Sequence, residues 1–156
     1  MIEMDIADFG PLRLEHLVMD YNGTLAVDGL FIPGVKERLR RLAVKLNLHI
    51  ITADTFGKVK EQAAGLPLKV LIAKSVDQAV EKLRYIQALD SEKTVAVGNG
   101  RNDALMLKSA RLGIACIQRE GAAVQTILQA DVLVKEINDA LDLLLNPLRL
   151  KATLRG

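Results

Sequence analysis

The nine residues Leu17-Val18-Met19-Asp20-Tyr21-Asn22-Gly23-Thr24-Leu25 decide how the rest of the chain is read. A short apolar run ends in a lone carboxylate, followed at once by a glycine-containing turn and a hydroxyl. At the end of a buried strand this pattern aims Asp20 outward, where a nucleophile sits. Taken alone, Asn-Gly between two apolar runs is the strongest short hairpin signal there is, so Tyr21 to Thr24 by itself reads as a turn. A second loop far downstream, Gly98-Asn99-Gly100-Arg101-Asn102-Asp103, is built the same way and shifts that reading.

Working outward, apolar strand-like runs alternate with segments of helical period. Strands are expected at Leu14 to Met19, Leu48 to Thr52, Lys69 to Ala73, Thr94 to Gly98, Gly113 to Ile117 and Asp131 to Val134. Helices are expected from about Pro33, well placed in a first turn, to Leu46, then over Phe56 to Ala64, Val76 to Leu89, Asp103 to Ala110, Ala122 to Gln129 and Ile137 to Leu145. In the first helix Val35, Leu39, Leu42 and Leu46 recur at three- and four-residue spacing, the mark of one buried face. Such alternation implies right-handed βαβ units and an α/β, three-layer, doubly wound and mostly parallel sheet of Rossmann-like type. If its core strand order is 3-2-1-4-5, the reversal falls between the first and fourth strands, where ligands of such sheets bind. Asp20, Thr52 and the loop Asn99 to Asp103 then share one crevice.

Composition bounds the function. A chain of 156 residues fits one domain, 1–156, here with an N-terminal extension over 1–13 and a C-terminal tail over 147–156. Half the residues are hydrophobic but only 3% are aromatic, so the core must be aliphatic. A net charge of +2, from 21 basic and 19 acidic residues interspersed, gives no footprint for nucleic acid or for a membrane surface. One cysteine, Cys116, excludes an internal disulfide, suits a reducing cytosol and reads as inert packing. With no signal or spanning segment visible, a cytoplasmic protein is expected. The segments Ile2 to Pro11 and Leu148 to Arg155 offer surfaces for a homo-oligomer, although a solvated tail is the plainer reading of the second. His16 and His49 have no partners at metal spacing and read as packing, and Arg101 as a solvent-facing loop arginine.

With these motifs in hand, the chain resembles the haloacid dehalogenase-like hydrolase superfamily over essentially its whole length. Within it, the chain looks most like the phosphorylation domain of P-type ATPases and the small soluble proteins related to it. The family's first motif, Asp-x-Asp-Gly-Thr, stands here as Asp20-Tyr21-Asn22-Gly23-Thr24; the ion pumps have Asp-Lys-Thr-Gly-Thr. The second, a strand-end hydroxyl, matches Thr52, and the third, a helix lysine, best matches Lys82, with Lys74 and Lys69 as rivals. The fourth, Gly-Asp-Gly-x-Asn-Asp-Ala, matches Gly98-Asn99-Gly100-Arg101-Asn102-Asp103-Ala104. The resemblance implies a Mg²⁺-dependent phosphohydrolase that forms a phosphoaspartate on Asp20 and acts on a phosphorylated small molecule or nucleotide. Its implied catalytic residues are Asp20, Asn22, Thr52 and Lys82. Phosphate would be held by Gly23, Thr24, Thr52, Ala53, Lys82 and Asn102, and Mg²⁺ by Asp20, Asn22, Asn99 and Asp103.

Each role has a physical ground. A phosphoryl group repels a carboxylate nucleophile, so the two need a shared cation. A hydroxyl such as that of Thr52 can donate to a phosphate oxygen, and an ammonium can neutralise charge that develops in transfer. Alone, Thr52 would be a strand-end helix cap and Lys82 a solvated helix lysine. Two family aspartates are asparagine here, Asn22 and Asn99. An amide cannot exchange protons near neutrality, so the usual acid/base at position 22 is missing, which favours good leaving groups such as ADP or an acyl phosphate. The short spacing between motifs leaves no room for a cap domain. The rivals are a generic phosphomonoesterase and a non-catalytic phosphate-binding or interaction module.

Overall fold

The structure, a computed structural model, describes every residue except Ser75. Its chain order is β1 (Ile2–Ile6), β2 (Gly10–Leu14), β3 (His16–Met19), β4 (Ala26–Val27), β5 (Leu30–Phe31), α1 (Val35–Leu42), β6 (Asn47–Thr52), α2 (Val59–Ala63) and β7 (Leu68–Ile72). There follow α3 (Gln78–Leu89), β8 (Thr94–Gly98), α4 (Ala104–Ser109), β9 (Leu112–Cys116), α5 (Val124–Ile127), β10 (Val132–Val134), α6 (Ile137–Leu145) and α7 (Pro147–Leu154). Six parallel strands form the central sheet in the order β10-β9-β8-β3-β6-β7. The expected 3-2-1-4-5 core is β7-β6-β3-β8-β9, and β10 extends its edge.

The sheet is covered on both faces because its strands are apolar on both. Along β3 and β8, Leu17, Met19, Val95 and Val97 belong to one buried cluster, and Val18 and Ala96 to another. That is the period of two that sends successive side chains to opposite faces. The first cluster takes in Leu39 and Leu42 of α1, Leu141 and Leu144 of α6 and Leu150 of α7. Ile86 of α3 and Met106 and Leu107 of α4 close the second. Between α1 and α6, Arg38 holds Asp142 through two hydrogen bonds of 2.8 and 2.9 Å.

The chain ends differ from the expectation. Residues 1–13 are not an appended extension: β1 and β2 form an antiparallel hairpin that buries Ile2, Ile6, Leu12 and Leu14 in the core. The expected first strand thus divides at Glu15 into β2 and β3. Residues 147–156 are not a solvated tail either, because α7 buries Leu150 in that same cluster. Pro147 at the first turn of α7 pre-sets the helical φ there. Both segments carry apolar residues at periods that a reading of their charges overlooked. The helices expected to begin at Pro33, Phe56 and Ala122 start later and are shorter. Gly34 at φ 87° and Asp54 at φ 51° make the turns before α1 and α2.

Candidate active site

Strand register delivers the site. Met19 pairs with Ile50 on one side and Val97 on the other, so the loops after β3, β6 and β8 leave the sheet together. Asp20 still follows β8, its amide donating to the Val97 carbonyl at 3.0 Å. Its carboxylate then emerges at the point where strand order reverses, the usual ligand crevice of a doubly wound sheet.

Lys82 of α3 meets Asp20 there. Its Nζ donates to Asp20 Oδ1 at 2.7 Å and to Asp103 Oδ1 at 2.6 Å, with the lysine and Asp103 fully buried and Asp20 7% exposed. Burial works against the ammonium charge, but Asp20 and Asp103 outweigh it and hold the Lys82 pKa above its ordinary value. Burial and the nearby Asp20 charge push the Asp103 carboxyl up to about 6, against the pull of Lys82. The rival Lys69 lies on β7 opposite His49, away from this cluster. Lys82 is therefore the lysine that the fold brings to Asp20.

The loop after β8 is shaped around Asp103. Its Oδ2 accepts from the amides of Asn99 and Gly100 at 3.0 and 2.9 Å. A Cβ on Gly98 would stand 2.5 Å from that carboxylate, so only glycine lets Asp103 fold back beneath the strand end. Both Asp103 oxygens are thus occupied by protein donors, and its place is that of an anchor for Lys82 and the loop. The Gly100 amide is taken by Asp103. The Gly23 amide is likewise taken, by the Ala26 carbonyl at 2.8 Å.

Thr24 ties the first and fourth motifs together. Its hydroxyl lies 3.2 Å from both Asp20 Oδ2 and Asn99 Oδ1 and can donate to only one at a time. Asn22 Oδ1 is buried without a hydrogen-bond partner among the described residues. Asp20, Asn22 and Asn99 therefore offer a carboxylate and amide oxygens, the hard donors that suit Mg²⁺. Among the described residues no three His, Cys, Asp or Glu side chains gather to hold a metal. Thr52, 2% exposed, accepts from the Asp54 amide at 3.0 Å and retains its own proton for donation, with Ala53 half-buried beside it. Asn102 turns its amide to Gln78 at the start of α3, at 2.9 Å.

Two features escaped the sequence reading. Asp28-Gly29 is the turn of a small flap, β4 paired with β5. Tyr21 anchors that flap, its hydroxyl donating to the Gly29 carbonyl at 2.9 Å and its ring edge-on to Phe31 at 5.3 Å. Second, the loop after β9 reaches into the site. Gln118 donates to the Thr24 carbonyl at 2.5 Å, and Asn99 donates to that of Gly121 at 2.9 Å. Cys116 is inert as expected, its buried thiol pushed up to about 12.

No family model matches the chain. It is 51% identical over 92 residues to the uncharacterized protein MJ0073 of Methanocaldococcus jannaschii, which spans 56% of this chain and 99% of that one. A second protein of that organism, uncharacterized MJ0072, is 46% identical over 39 residues, 25% of this chain and 89% of its own. Among solved structures, a protein assigned to HAD superfamily subfamily III A from Legionella pneumophila superposes with a TM-score of 0.72 at 19% identity, over 90% of this chain and 87% of that one. The 3-deoxy-D-manno-octulosonate 8-phosphate phosphatase of Moraxella catarrhalis, in complex with magnesium, phosphate and KDO, gives 0.67 at 19% identity over 85% and 86%. The cobalt-bound enzyme of Haemophilus influenzae gives 0.70 at 12% identity over 86% and 88%. At these identities the likeness to solved structures is one of fold.

Proposed function

We propose, for a chain that belongs to the same family as the archaeal protein MJ0073 and has the fold of haloacid dehalogenase-like hydrolases, a Mg²⁺-dependent phosphohydrolase working through a phosphoaspartate on Asp20. The observation that carries this reading is Lys82, which spans Asp20 and Asp103 at 2.7 and 2.6 Å inside the protein. A buried ion group of this kind is weak evidence for stability, since an apolar replacement is often at least as stable. Its presence at a strand-order reversal points to chemistry. The chain is read as one capless domain.

Asp20, the Asn22 carbonyl and Asn99 are the residues that would hold magnesium, which when bound offsets the charge of a carboxylate and a phosphate brought together. An Asp20 oxygen attacks phosphorus, and the bond from phosphorus to the leaving oxygen breaks with its electron pair. Lys82 holds the Asp20 carboxylate in place. Thr52, at the end of the adjacent strand, donates to a phosphate oxygen. Water then attacks the phosphorus of the phosphoaspartate, restoring the Asp20 carboxylate and releasing inorganic phosphate that keeps the water's protons.

Asn22 selects the substrate. It cannot protonate a departing alkoxide, and general acid catalysis is worth roughly 10²–10⁴-fold. A leaving group that needs no proton, the ADP of ATP or the carboxylate of an acyl phosphate, is therefore favoured. The amide in place of the second aspartate also supports the finer likeness to P-type ATPase phosphorylation domains. A small phosphomonoester is the second reading, favoured by fold neighbours that are sugar-acid phosphate phosphatases. A cytosolic setting is supported by the single buried thiol of Cys116. Turnover with Mg²⁺ over ATP, acetyl phosphate and alkyl phosphates, for wild type and Asp20→Asn, tests the proposal. Phosphate release that vanishes in Asp20→Asn is expected, and equal release by the two chains would refute it.

A further inference from the structure

The cation seat just described is poor in charge. Asp20 and Asp103 bring two negative charges, Lys82 cancels one, and Asn22 and Asn99 are neutral. Divalent cations are tuned in affinity by the number of charged ligands around them, so a site with one net charge is expected to bind weakly. Another carboxylate stands at its edge. The loop that follows β9 is bolted to the site by the Gln118 bond to Thr24, the Asn99 bond to Gly121 and the Ala123 amide, which donates to the Asn99 carbonyl at 2.9 Å. Between those fastenings sits Glu120.

Gly23 shows where Glu120 points. A Cβ at Gly23 would fall 2.6 Å from Glu120 Oε2, 2.7 Å from Asn99 Nδ2 and 2.9 Å from Asn99 Oδ1. The Glu120 and Asn99 oxygens share the space that a side chain at position 23 would fill, and so stand no further apart than the sum of their distances to it, about 5.5 Å. Two oxygens on opposite sides of one octahedral magnesium are about 4 Å apart. That bound leaves room for one cation between the two oxygens, and Glu120 is exposed. Gly23 itself sits at φ +81°, where a larger residue would be strained as well as crowded.

We infer that Glu120 supplies the carboxylate that Asn99 does not, coordinating the divalent cation from the β9 loop, directly or through a bound water. The inference rests on the proposed magnesium site and goes beyond it in adding a ligand from a fifth segment of the chain. It also explains why that loop is tied at both ends to the first and fourth motifs.

Manganese binding to the full chain without substrate, followed by calorimetry and by EPR, separates this inference from the reading beneath it. Glu120→Gln should weaken the Mn²⁺ Kd roughly ten- to hundredfold and alter the EPR line shape, with thermal melting unchanged because the side chain is exposed. Glu120→Asp should recover part of the loss. Asp20→Asn should weaken binding too. If Glu120→Gln binds within twofold of wild type while Asp20→Asn loses the ion, the Glu120 role is wrong and the site stands. A wild-type chain that binds no manganese overturns both.

Discussion

Helix α3 carries two polar clusters one turn apart, the first buried and the second half-buried around a buried His49, and they are unlike in charge. At Lys82 an ammonium lies between two carboxylates, one of which reaches the surface. At Tyr85 the hydroxyl meets His49 Nδ1 at 2.8 Å, and His49 Nε2 meets His16 Nδ1 at 3.1 Å. That second cluster is neutral: burial, with His16 and Lys69 nearby, lowers the His49 pKa to about 4, and burial lowers that of His16 as well. A neutral network with its partners in place is what a stable interior tolerates. A buried charged one costs desolvation energy, which points to a use other than stability. The contrast teaches where on a shared helix–sheet interface to look for chemistry.

The largest expected effect sharpens the charged end. Asn22→Asp restores a proton donor beside Asp20 and should raise hydrolysis of alkyl phosphates by roughly 10²–10⁴-fold, with far less change for acetyl phosphate, as read from initial rates. Lys82→Met leaves two carboxylates facing each other. Turnover should fall roughly 10²–10³-fold, and urea unfolding should show a loss of about 3–5 kcal/mol. If Lys82→Met were as stable as wild type and as active, the division between the clusters would fail.

The neutral end predicts effects on stability alone. With its folded pKa near 4, below the ordinary 6.5, His49 leaves stability intact above pH 6.5 and withdraws it as pH falls towards 4. At pH 5 the loss is about 2 kcal/mol, which His49→Gln should not show when the two chains are unfolded at pH 7.5 and pH 5. Asp103 has the opposite sign, since protonation below about 6 relieves its burial, but it is present in both chains and cancels. Tyr85→Phe should cost about 1 kcal/mol by the same assay and leave phosphate release unchanged.

The sheet was legible because its signals are local and repeated: apolar runs ending in glycine or a hydroxyl, separated by helices with one apolar stripe. Asp20, Lys82 and Asp103 were legible through motif order, although only the fold distinguishes Lys82 from Lys69. The terminal hairpin was missed because β1 alternates acids with Met and Ile, so charge masked its period of two. Asp103 was expected to face a metal, yet its oxygens are used by Lys82 and two backbone amides, a pairing that depends on Gly98 lacking a side chain. Glu120 was invisible for a different reason. A lone exposed glutamate carries no motif, and only the approach of its loop to Gly23 gives it meaning.

The central claim is that the Asp20 carboxylate becomes phosphorylated. Brief reaction of the full chain with acetyl phosphate or ATP and Mg²⁺, acid quenching and peptide mass analysis addresses it directly. The account predicts one phosphoryl group on the peptide containing Asp20, labile to hydroxylamine and missing from Asp20→Asn. Steady release of phosphate with no such adduct on the quenched chain, and undiminished in Asp20→Asn, would contradict it.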